Sequence, residues 1–179
     1  MFLLLIRKSG QASQYVEIIP LQHPYIEETM NNSERYSEFI VRSVDHIFKK
    51  FLQDEYIEEV YESQTDSEDH QVAVEITGTL QGEIVINIPD NTLSLLTKKF
   101  IGNRKSAKKH YGDVAGEIAN LITGTFANQM QFDEHEIILS PPEFNDDPIT
   151  MKALYDNINL SFSSSFGGFD IDLYYKEEL

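Results

Sequence analysis

The chain has 179 residues, 41% of them hydrophobic and 25% charged, enough for one globular domain and unlike a disordered or membrane-embedded composition. Cysteine is absent, which excludes disulfides, thiolate zinc sites and cysteine nucleophiles. With 30 acids against 14 bases the net charge is -16, so a polyphosphate is repelled and nucleic-acid binding is not expected.

Residues 1–6 are apolar but are followed by Arg7 and Lys8, too short and wrongly flanked for a signal peptide. The expectation is a cytoplasmic protein with no membrane partner. Residues 1–30 read as a poorly defined N-terminal extension: 15–19 is a candidate edge strand, and Pro20 and Pro24 exclude regular helix. A single domain is expected over 31–179. Its first element is a long helix over 33–53, capped by Asn32 or Ser33, in which Phe39, Ile40, Val44, Ile47, Phe48 and Leu52 recur at helical spacing. Residues 54–69 carry eight acids and end in a polar loop or strand connection.

Two alternating segments follow, 71–80 and 83–88, with Gln81-Gly82 as the expected tight turn. Asp90 then reads as the cap of a shorter helix running to Ile101, with Gly102 as its stop. From 91 to 112 there is no acid, yet Lys98, Lys99, Arg104, Lys105, Lys108 and Lys109 supply six bases. Two readings of this stretch stand: a solvated helix end, where cations are favoured, or a basic rim for a partner with an acidic pocket. A long helix is expected over 107–130, then a short strand at 137–139 ended by Ser140-Pro141-Pro142. Two alternating segments close the chain, Ile158-Leu160-Phe162 and Phe169-Ile171-Leu173, with Gly167-Gly168 in the turn between them. Long helix, strands, short helix, long helix, strands is the order of a two-fold internal repeat, and hairpin-linked strands under helices make an α+β domain.

The five histidines are scattered without ligand spacing, so no metal site is expected. No glycine-rich phosphate loop follows a strand, and Ser163, Ser164 and Ser165 lack a nucleophile-elbow context. The 107–130 helix offers more. Asp113, Glu117, Asn120 and Gly124 follow one another at intervals of four, three and four, which places them on one helix face, while Val114, Ile118, Leu121, Ile122 and Phe126 gather on another. A polar stripe of this kind is ordinarily a solvated surface. Two of its members, however, are poor helix residues: asparagine competes for the backbone, and glycine costs about 1 kcal/mol against alanine. A helix that accepts both on its outer face keeps the amide for chemistry and the glycine for the approach of another backbone.

Glu117-Ile118-Ala119-Asn120, preceded by Asp113 and followed by Gly124, resembles the Asp/Ser-x-x-x-Glu-x-x-Asn signature of the CheC/CheX/FliY chemotaxis phosphatases. The similarity extends to Gly78-Thr-Leu-Gln-Gly82 before it, Ser140-Pro-Pro after it and the closing strands, roughly residues 33 to 175. CheC-like members carry a second motif on the first long helix. Here that helix has Glu34-x-x-Ser37 and Glu38-x-x-Val41 without the asparagine, which is the CheX pattern. The resemblance implies a CheC-like fold: a pseudo-two-fold repeat with two long helices on one face of a mainly antiparallel sheet. It further implies a homodimer that removes the phosphoryl group from the aspartate of a CheY-like response regulator. In that role Asn120 positions the attacking water and Glu117 pairs with the receiver's lysine. Asp113, Gly124, Lys108 and Lys109 are the expected partner contacts. No cofactor is expected on this chain, and Mg²⁺ is expected on the receiver. Two alternatives stay open. One is a binding or scaffold module of the chemotaxis or flagellar switch system without catalysis. The other is a small-substrate hydrolase using Glu117 as general base, which needs a concave pocket rather than a convex helix face.

Overall fold

A computed structural model of the chain describes residues 30–66, 69–102, 107–145 and 155–177. The N-terminal extension, Met30 apart, and its candidate strand at 15–19 lie outside the described residues, as do Arg104 and Lys105. The first helix, α1 (Asn32–His46), is capped one residue earlier than expected. Asn31 Oδ1 accepts the Glu34 N–H at 2.9 Å while Glu34 Oε2 accepts the Asn31 N–H at 3.1 Å, a reciprocal box that satisfies two otherwise orphan donors. The helix continues as a π-turn, Ile47–Leu52, and ends at Gln53, whose φ is 60°.

The strands are β1 (Glu58–Val60), β2 (His70–Gly78), β3 (Leu80–Ile88), β4 (Ile137–Leu139), β5 (Glu143–Asn145), β6 (Asp156–Ser164) and β7 (Gly167–Glu177). They form one sheet in the order β1-β6-β7-β3-β2-β4, with β5 also on β2, and every described pairing is antiparallel. Exchanging β2 with β6, β3 with β7 and β1 with β4 reproduces the order, which is the expected two-fold repeat. Alternate residues face the helices: Val72, Val74 and Ile76 on β2, Ile84, Ile86 and Ile88 on β3, Ile171 and Leu173 on β7 are all buried. Onto this surface pack α1, α2 (Asp90–Ile101) and α3 (Tyr111–Phe132) through Tyr36, Ile40, Val44, Leu93, Leu96, Ile118, Ile122 and Phe126.

Four further boundaries differ from the sequence reading. The first hairpin turns at Gly78 and Thr79, not at Gln81-Gly82: Ile76 pairs with Gly82, and Gly78 takes a φ of 118° open to glycine. Gly82 lies inside β3, where a Cβ would come within 2.1 Å of the Tyr174 carbonyl oxygen on β7. This glycine serves strand-to-strand approach rather than a turn. Pro89, not Asp90, is the N-cap of α2, because the Asp90 carboxylate is turned toward Lys108 and His70. A 3-10 turn, Ala107–His110, precedes α3, which starts at Tyr111. In the last hairpin Ser165 and Phe166 make the turn, and Gly167 already pairs with Ser164.

Candidate functional site

The helix α3 is fixed on both flanks, and this determines what it shows to solvent. Toward α1, the Gln129 side-chain amide donates to the Phe39 carbonyl at 2.9 Å and to Ser43 Oγ at 2.8 Å. One turn on, Arg35 Nη1 makes a bifurcated, charge-assisted contact with both oxygens of Asp133 at 3.2 and 3.0 Å. On another side the 140–145 segment lies close: a Cβ at Gly112 would meet the Phe144 ring at 3.4 Å, and one at Gly116 would meet Pro142 at 3.8 Å. Inward, Val114, Ala115, Ile118, Ala119, Ile122 and Phe126 are buried. The roll of the helix is therefore set by apolar burial below and polar ties at its C-terminal end.

Outward stand Asp113, Glu117 and Asn120, all exposed, and Gly124, half-buried. Glu117 and Asn120 are one turn apart, about 5–6 Å between Cβ atoms by helix geometry. Among the described residues neither side chain has a hydrogen-bond or ion-pair partner. An acceptor-only carboxylate and an amide that both donates and accepts are thus displayed side by side, uncommitted to the fold. Asp113 lies in the first turn, where a negative charge suits the helix dipole, with His110 Nδ1 3.5 Å from its carboxylate.

The two lysines are placed at the N-terminal end of α3, Lys109 one turn before Asp113, and both are exposed. Cations are disfavoured at a helix N-terminus, so the helix-end explanation of the basic stretch suits Lys98 and Lys99 in the last turn of α2 but not this pair. Lys108 Nζ donates to Asp90 Oδ1 at 2.9 Å, and His70 Nε2 lies 3.3 Å from the same oxygen. The Lys108 hydrogen bond holds the Asp90 carboxyl below its usual range against the opposing effect of burial, with His70 adding a further lowering. The same bond raises the Lys108 ammonium.

Sequence reasoning missed this Lys108-Asp90-His70 cluster and the Pro142–Phe144 flank. The cluster joins residues 18 and 20 apart on three elements and leaves no periodic signal. The flank was announced only by Ser140-Pro-Pro, which marks the end of a strand and not what the next residues touch. Among the described residues no group of three or more His, Asp or Glu is placed to hold a metal ion. No described helix is long and apolar enough to cross a membrane. Two grooves, one lined by Gly78, Gln131 and His135 and one by Arg42, His46 and Lys49, do not include Glu117 or Asn120.

The family described as chemotaxis phosphatase CheX matches residues 71–152, a stretch that contains the whole outward face of α3. No curated protein matches the sequence. Among solved structures, the chemotaxis protein CheX of Vibrio vulnificus has a TM-score of 0.69 at 17% identity, covering 82% of this chain and all of that one. CheX of Borrelia burgdorferi, solved as a CheX-CheY-BeF3-Mg complex, has a TM-score of 0.66 at 18% identity over 79% of this chain and 98% of its own. The fold is shared more distantly with FliY of Thermotoga maritima, with a TM-score of 0.54 at 17% identity, over 77% of this chain and 85% of that one.

Proposed function

We propose that the chain is a CheX-type member of the CheC/CheX family and that it dephosphorylates the aspartyl phosphate of a CheY-like response regulator in chemotaxis signalling. The observation that carries the proposal is the outward pair Glu117 and Asn120, held by a rigid helix within the matched residues and without a partner among the described residues. The relative crystallised with CheY, BeF3 and magnesium supports a receiver as the partner.

An aspartyl phosphate is an activated acyl phosphate, so little covalent chemistry remains for the protein to supply. Water forms a bond to phosphorus as the bond to the aspartate oxygen breaks, yielding inorganic phosphate and restoring the receiver's carboxylate. Mg²⁺, carried by the receiver, neutralises charge on the phosphoryl oxygens. What this chain contributes is position. The Asn120 amide hydrogen-bonds the attacking water and, being neutral, does not repel the phosphoryl group as a carboxylate would. Glu117 pairs with the receiver's lysine and fixes the register of α3 against its partner. Asp113, Lys108 and Lys109 lie at the rim of that contact.

The test is phosphate release from a phosphorylated CheY-type receiver with and without the chain. Acceleration that Asn120→Ala abolishes supports the proposal. A chain that binds the receiver yet leaves its dephosphorylation rate unchanged is the scaffold module, the reading that the fold shared with FliY keeps in view. The same proposal includes a homodimer formed by pairing an edge strand with its symmetry mate, since β4 and β1 close the two ends of the sheet. Light scattering at about 10–50 μM, suited to a micromolar dissociation constant, is expected to report twice the chain mass. A monomer there removes the dimer without touching the phosphatase.

A further inference from the structure

Three glycines interrupt α3. A Cβ at Gly112 or Gly116 would rest in ordinary contact with Phe144 or Pro142, beneath the 140–145 segment. Gly124 alone of the three lies on the outward stripe, and among the described residues nothing lies within 4 Å of a Cβ built on it. Its backbone is ordinary helix, without the positive φ that Gly78, Gly102 and Gly167 adopt. Neither packing nor dihedral requires glycine at this position. Intrinsic preference opposes it, since only proline is worse in a helix interior.

Gly124 sits one turn beyond Asn120 on the same outward stripe. The stripe is thus left without a side chain immediately past the water-positioning amide, at a cost to helix stability.

We infer that Gly124 is a positioning residue: its missing side chain lets a backbone segment of the phosphorylated receiver lie against α3 and so sets how deeply Asn120 reaches toward the phosphoryl group. This rests on the phosphatase reading above. Any side chain at 124 lifts the partner off the helix by the thickness of a methyl group or more, and Asn120 retreats with it. A displacement approaching 1 Å in a positioned reaction costs up to about a hundredfold.

The experiment uses the full chain with Gly124→Ala and Gly124→Leu, both favourable helix residues. A purely structural glycine and a positioning glycine part company in sign. Melting should rise by about 2–4 °C for Gly124→Ala, while kcat/KM for the phosphorylated receiver falls by about ten- to a hundredfold and further for Gly124→Leu. The loss in Gly124→Ala should lie more in kcat than in KM, because a single methyl leaves the receiver bound but misplaced. A parallel arm titrates a CheY-type receiver loaded with beryllofluoride and Mg²⁺, with Gly124→Leu expected to weaken affinity about tenfold, the loss that a steric clash of about 1.4 kcal/mol produces. Turnover and affinity within twofold of the parent in both variants overturn the inference. A parent chain that binds the loaded receiver but releases no phosphate overturns the phosphatase reading instead, and the affinity of Gly124→Leu then decides the glycine alone. A parent that does neither overturns both.

Discussion

The two long helices occupy related places in a two-fold sheet, yet they treat their outward acids in opposite ways. On α1 every outward carboxylate is engaged locally: Glu34 closes the capping box with Asn31, Glu38 pairs with Arg42 and Asp45 with Lys49, each one turn apart. Such pairs add a few tenths of a kcal/mol to a solvated helix. On α3 Glu117 and Asn120 have no partner among the described residues, and the helix is instead secured by ties at its C-terminal end to α1. Under the proposed function, the difference separates a surface that serves its own helix from one that is held still for another molecule. Exposure alone does not distinguish them, since Arg42 on α1 is as open to solvent as Glu117 on α3.

The contrast is sharpest at the pair itself. Asn120→Ala is expected to lower the maximal dephosphorylation rate by about two to three orders of magnitude, as loss of one pre-positioned hydrogen-bonding group does, with receiver affinity within a few-fold. That split marks an interaction made mainly in the transition state. Glu117→Ala should lower affinity as well as turnover, by about 2–5 kcal/mol where the lysine pair is desolvated at the interface. The matching variants on α1, Glu34→Ala and Glu38→Ala, should leave both quantities unchanged and shift only melting, by a degree or so. Stopped-flow phosphate release with fluorescence titration separates these terms. If Glu38→Ala slows turnover as much as Asn120→Ala, the division between the helices fails.

A smaller effect tests whether the C-terminal ties matter for the site. Gln129→Ala removes two hydrogen bonds to α1, at a net cost to stability of about 1–2 kcal/mol, read as a drop of several degrees in melting. Because Gln129 is nine residues from Asn120, a fall in kcat by less than about tenfold with unchanged KM would show that the roll of α3 is transmitted along the helix. A kcat equal to the parent's after correction for the unfolded fraction would confine Gln129 to stability.

The outward face of α3 was legible in the sequence because helical periodicity is a property of one segment: four polar positions against Val114, Ile118, Ile122 and Phe126 need no knowledge of the rest of the chain. The α+β class and the repeat were legible for the same reason, from stripes of period 3.6 and 2. What escaped depends on contacts across the chain. Gly82 reads as a turn until β7 is beside it and the Tyr174 carbonyl explains the missing Cβ; Leu80, in phase with Ile84 and Ile86, was the overlooked sign that the strand starts earlier. The strands β1 and β5 are three residues each, too short for alternation to register, and β1 is rich in acid besides. Asp90 reads as a helix cap by position, but a lysine and a histidine from elsewhere claim its carboxylate.

The same cluster governs the smallest effect, at the basic rim. Long-range steering responds to the sum of charges, so pairing with Asp90 does not hide Lys108 from an approaching acidic partner. Charge reversal at Lys108 or at Lys109 should therefore slow association to a similar extent, about two- to fivefold at low ionic strength, with the loss shrinking as salt rises. Dissociation should tell the two apart. To contact the partner directly, Lys108 must first leave an oxygen 2.9 Å away, whereas among the described residues Lys109 has no ion pair to break. Lys109→Ala is expected to speed dissociation, and Lys108→Ala to leave it close to the parent. Asp90→Asn should then release Lys108, raising the association rate by removing an acid and slowing dissociation by freeing the ammonium. Association rates that stay constant at low salt across all these variants would return both lysines to the role of solvated residues before α3, leaving Glu117 and Asn120 as the only polar distinction between the two helices.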